Sequence, residues 1–147
     1  MKSGTIKSAL CIASLLFAAG YAGSAAAHFT SGLVTDNTNA GATEGWAINC
    51  PAGTTELETS IQYTSNLGGG PLGVVTATTT KGIFGRSAMD DTTGAGFPGL
   101  PVITVGGEGT YNVTIQRTTV GRYNYVLNTH CNPGDVNPLS VNQTINN

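Results

Sequence analysis

Apolar side chains recur at every second residue along most of this chain, which is the mark of strands with one buried face. No stretch after residue 27 carries the helical rhythm of about 3.6 residues. In Trp46-Ala47-Ile48-Asn49-Cys50 the alternate residues 46, 48 and 50 share a face, and Pro51-Ala52-Gly53 follows as a turn. Leu57, Thr59, Ile61 and Tyr63 alternate with Glu56, Glu58, Ser60 and Gln62, a strand with one wet side. Gly68-Gly69-Gly70-Pro71 breaks the chain, and the β-branched run Val74 to Thr80 is extended. Val102 to Val105 is a short strand ended by Gly106-Gly107. Tyr111, Val113 and Ile115 alternate with Asn112, Thr114 and Gln116. After a turn near Gly121, Tyr123, Tyr125, Leu127, Thr129 and Cys131 share one face, while Asn124, Val126, Asn128 and His130 take the other. The 21 Gly, with abundant Thr and Asn, are poor helix formers and agree with this reading. Short strands separated by Gly, Pro and Asn turns predict an all-β chain folded as an antiparallel β-sandwich of jelly-roll or immunoglobulin-like type. Residues 81–100 are expected to form a long loop with a short strand at Ile83-Phe84. The tail, residues 136–147, reads as an edge strand, a flexible end, or a segment lent to a neighbouring molecule.

The first 27 residues have the three parts of a secretory signal: Lys2 and Lys7, the apolar run Ser8 to Gly20, and small residues from Tyr21 to Ala27. The apolar run falls short of the roughly 20 residues that span a bilayer, and no later segment reaches that length. Residues 28–147 are therefore expected as one exported domain, periplasmic or extracellular. Cleavage after Ala27 makes His28 the first mature residue; cleavage after Ala26 also satisfies the small-x-small rule. Removing Lys2 and Lys7 leaves four basic residues against eight acidic ones, a net charge of −4. Phosphate neutralisation needs a basic surface, so nucleic acid is excluded as a partner. Of three cysteines, Cys11 falls in the leader. Cys50 and Cys131 are both on inward faces and form one disulfide in an oxidising compartment. It closes a loop of about 80 residues, worth roughly 4 kcal/mol on the loop-entropy model.

Two segments carry a family resemblance. Trp46 to Ile61 (WAINCPAGTTELETSI) is similar to the first half of the bacterial pre-peptidase C-terminal domains, with their aromatic strand, Pro/Ala-Gly turn and alternating strand. Gly109 to Ile115, followed by Gly121 to Leu127, is similar to their second half. The resemblance covers about half of the mature chain and implies a jelly-roll-like sandwich with a non-catalytic accessory role. The Asp-x-Asp calcium segment of that family has no counterpart; Gly68 to Val75 stands in its place.

Chemistry is sparse. A nucleophilic triad needs a His against a Ser or Cys, but there are only two His and the mature cysteines are paired. Gly68-Gly69-Gly70 is followed by Pro71 rather than Lys-Ser/Thr, so it is a turn and not a phosphate loop. No enzymatic function is expected. The sharpest constellation is His28 with His130. A mature N-terminal His offers its α-amino nitrogen, with an ordinary pKa of about 7.7–8.0, together with its ring. A second imidazole completes a three-nitrogen site of the kind that favours Cu(II). This arrangement resembles the histidine brace of periplasmic copper carriers and lytic polysaccharide monooxygenases. By that resemblance the metal ligands are His28 and His130, with Asp36, Glu44 and Asp135 as outer candidates. The alternative expectation is a structural protein with no metal, self-associating by edge-strand pairing at the cell surface or outside the cell.

Overall fold

Alternation along Tyr123–Asn132 decides the architecture, because every inward residue from Tyr123 to Cys131 is buried and has to be covered by a second layer. The computed structural model describes residues 28–34, 42–67, 73–91, 98–134 and 136–145. Its strands are β1 (His28–Val34), β2 (Thr43–Cys50), β3 (Glu56–Asn66), β4 (Val75–Lys81) and β5 (Phe84–Asp90), then β6 (Val102–Val105), β7 (Gly109–Arg117), β8 (Tyr123–Asn132) and β9 (Ser140–Ile145). They form a four-stranded sheet in the order β1-β8-β3-β6 and a five-stranded sheet in the order β5-β4-β7-β2-β9. Every pairing is antiparallel. The expected antiparallel sandwich is what the chain forms.

The core lies between the sheets. Leu57, Ile61, Tyr63, Tyr123, Tyr125 and Leu127 come from one sheet, and Trp46, Ile48, Val75, Ala77, Tyr111, Val113 and Ile115 from the other. Thr59 and Thr79 face each other across this gap, and the Thr79 hydroxyl donates to Thr59 Oγ1 at 2.9 Å, which satisfies two buried polar groups at once. Cys50 of β2 and Cys131 of β8 are bonded across the layers, with 5.7 Å between their Cα atoms. The pairing expected from their inward positions is therefore present.

Three segments differ from expectation or sharpen it. Residues 81–100 are not one long loop: β5 runs from Phe84 to Asp90 as a hairpin partner of β4, turning at Gly82-Ile83. Gly82 supplies the positive φ of 58° that so tight a turn requires. The strand escapes the alternation test because it is an edge strand in which only Ala88 and Asp90 are buried. The stretch His28–Val34, assigned no element from sequence, is an edge strand on β8. Of the three readings of the tail, the edge strand is the one formed. Val136 exchanges backbone hydrogen bonds with Cys131 at 3.0 Å, Leu139 N–H donates to Asn49 C=O at 2.7 Å, and β9 then pairs with β2. The expected leader, residues 1–27, lies outside the described residues, and among the described residues no helix is long and apolar enough to cross a membrane.

Candidate functional site

The backbones of His28 and His130 run on the neighbouring strands β1 and β8 at one end of the four-stranded sheet. In the β1–β8 ladder His28 stands opposite Thr129, so its backbone runs beside the Thr129–His130 step. His130 belongs to the next row, where Glu58 of β3 is its direct cross-strand partner. The Nδ1 atom of His130 is buried and has no hydrogen-bond partner among the described residues. Rows alternate between the faces of a sheet, so a brace on this register requires residue 28 to leave the regular pleat. Of the outer candidates, Asp36 and Asp135 lie outside the described residues. Glu44 is not beside the histidines: its carboxylate neighbours Gly32, four residues along β1 from His28, or about 13 Å of extended chain. Among the described residues no group of three or more His, Cys, Asp and Glu is placed to hold a metal ion.

Glu44 instead anchors an internal polar chain that sequence reasoning missed. The side chain is buried, 1% exposed, between the sheets. Trp46 Nε1–H donates to Tyr125 Oη at 2.7 Å, and the Tyr125 hydroxyl donates in turn to Glu44 Oε2. Burial raises the Glu44 carboxyl above the ordinary carboxylate range, and the Tyr125 hydrogen bond only partly opposes this. Burial likewise raises the Tyr125 phenol, reinforced by its bond to Glu44, and the neighbouring Tyr123 phenol. The Arg117 guanidinium lies 5.3 Å from the Tyr63 ring centre and 5.6 Å from that of Tyr123, within cation–π range. Asp90 accepts the Tyr63 backbone N–H at 2.8 Å. The available signal was Glu44 itself, which continues the inward row of Trp46, Ile48 and Cys50. All these side chains are buried, so the cluster locks the two sheets in register and presents no group to a substrate.

What the molecule offers to a partner is therefore its outer surface. The outward rows of β2, β4 and β7 carry Thr43, Ala47, Asn49, Thr76, Thr78, Thr80, Thr110, Asn112, Thr114 and Gln116, and no charged residue. The strand edges are treated unequally. On one flank β6 has only four residues and follows Pro101, and β5 carries an exposed Arg86; between them is a shallow apolar cleft lined by Phe84, Ile103 and Val105. Short strands, proline and charge are the usual protections of an edge. On the other flank β9, Ser-Val-Asn-Gln-Thr-Ile, has no charge and no proline, and residues 142–145 are exposed.

The chain matches no protein-family model, no curated protein and no solved structure.

Proposed function

We propose that the mature chain is a small exported, non-catalytic β-sandwich that works by surface association, first with itself, in a structural role at the cell surface or outside the cell. The observation that carries this reading is the outer edge of β9, an uncharged, exposed strand at the flank of the five-stranded sheet with which no further strand pairs among the described residues. Such an edge presents unpaired N–H and C=O groups and is a template for another strand. The neutral Thr/Asn rows of the same sheet add a surface with little charge repulsion between copies. The similarity to pre-peptidase C-terminal domains agrees with a role without catalysis. Size-exclusion chromatography of residues 28–147 against a chain ending at Asp135 tests the reading. The full chain is expected to elute as a larger, concentration-dependent species and the shortened one as a monomer. A strictly monomeric product in both cases removes the proposal.

A second reading is a copper-binding module using His28 and His130. It is favoured by the His130 Nδ1 atom, which has no hydrogen-bond partner among the described residues, and by the nearness of the His28 backbone to the Thr129–His130 step, and it requires residue 28 to turn out of the regular pleat. If processing frees the His28 amine, that nitrogen and two imidazoles supply the three-nitrogen set that Cu(II) prefers. N-terminal sequencing with Cu(II) titration decides: a mature protein beginning at Ala27, or a His130→Ala variant that binds copper as tightly as the parent, excludes it.

A further inference from the structure

We propose that two copies of this chain pair through β9 and its symmetry mate, antiparallel and centred on Asn142. The inference rests on the self-association reading and names the surface responsible. Leu139 donates its N–H to Asn49 of β2. The Asn49 carbonyl therefore points at β9, and peptide groups alternate in direction along a strand, so Asn49 and Ala47 bond their β9 partners Ser140 and Asn142, while the N–H and C=O groups of Val141 and Gln143 point away from β2. The ladder irregularity comes after Gln143: Gln143 pairs with Trp46 and Ile145 with Gly45, which leaves Thr144 as the extra residue. The free edge is thus regular from Ser140 to Gln143, with Asn142 central to the strand.

An antiparallel strand brought against its own copy meets the same residues in reverse order, so the contact closes as a twofold dimer and does not propagate. Asn142 then faces Asn142 of the second copy, and Ser140 approaches the second copy's Thr144. None of these is charged, so no like-charge pair among them opposes the approach. The two five-stranded sheets join into one of ten strands. The other edge of this sheet, β5, bears Arg86 and is the poorer candidate. The edge at β9 is also fixed in place before any partner arrives. The Cys131–Val136 backbone pair ties down its approach, and Val141 packs against the core. A preordered strand loses little conformational freedom on pairing.

Asn142→Lys and Asn142→Asp test the register directly, because each puts like charges opposite each other at the dyad. The side chain of residue 142 is exposed and its backbone bonds do not depend on the side chain, so both variants keep the fold, which circular dichroism verifies. Sedimentation equilibrium is expected to show each variant at least about 10-fold weaker in dimerisation than the parent, a change of about 1.4 kcal/mol. An equimolar mixture of the two is expected to dimerise again through Lys–Asp pairing, and Thr110→Lys on the outer face of β7 is expected to change nothing. If the parent dimerises and both Asn142 variants dimerise equally well, the β9 interface is overturned while self-association stands. A parent monomeric at every concentration overturns both.

Discussion

Gly32 of β1 stands directly opposite Tyr125 of β8, and a methyl group at residue 32 would collide with both Tyr125 Oη and Glu44 Oε2. The edge strand β1 closes over the internal polar chain only because residue 32 has no side chain. Gly32→Ala is expected to cost about 1–3 kcal/mol through overpacking. Tyr125→Phe, which removes the donor to a buried carboxyl, is expected to cost about 1–3 kcal/mol. The two changes damage the same hydrogen bond, so in urea denaturation the double variant should lose less than the sum of the singles. Full additivity would separate Gly32 from the Tyr125–Glu44 pair.

Glu44 gives stability an acid-side signature of defined sign. Its folded carboxyl is held above the ordinary value of 4.5 by burial, so the folded state keeps a proton that the unfolded state releases. Its contribution is therefore full below pH 4.5 and is lost as pH rises through the folded value. The urea midpoint of Glu44→Gln, followed from acid to neutral pH, should gain on the parent as pH rises through that window. A constant difference between the two proteins would show that Glu44 titrates as it does in the unfolded chain.

The tyrosines make the alkaline counterpart. Tyr63, Tyr111, Tyr123 and Tyr125, all the tyrosines among the described residues, are 0–1% exposed, and burial raises every one above the ordinary 10.0. Their stabilising contribution is full below pH 10.0 and is lost as pH climbs toward the raised folded values. Phenolate absorbance should stay flat just above pH 10 and then rise together with loss of the circular dichroism of the fold. Phenolate appearing gradually while the strands persist would contradict this burial.

The Cys50–Cys131 bond joins residues 81 positions apart and crosses between the sheets. Replacing both cysteines with alanine should lower stability by about 4 kcal/mol, most of it through the released unfolded chain. A loss below about 1 kcal/mol would mean that the packing of Trp46 and Tyr125 already holds the sheets without the bond.

Much of the fold was legible because burial leaves a two-residue imprint. Wherever both flanking strands are covered, as at Leu57 to Tyr63 or Tyr123 to Cys131, inward and outward residues differ sharply in chemistry. The imprint fades at edges, which is why β5 and β1 were missed: Phe84 to Ser87 are all exposed, and β1 pairs on one side only. For the candidate site, sequence placed His130 on the outward face of its strand and His28 at the start of the mature chain with no element, so their relation in one sheet, which depends on the β1–β8 pairing, was not legible. Glu44 was legible as a carboxylate and not as a buried one, because its partner Tyr125 lies 81 residues away.

The central claim is that this sandwich associates with itself through an unprotected edge. Sedimentation equilibrium of residues 28–147, oxidised and at neutral pH, addresses it most directly. The predicted result is a reversible monomer–dimer equilibrium that shifts toward dimer as concentration rises; a single species of monomer mass across the whole range would contradict it.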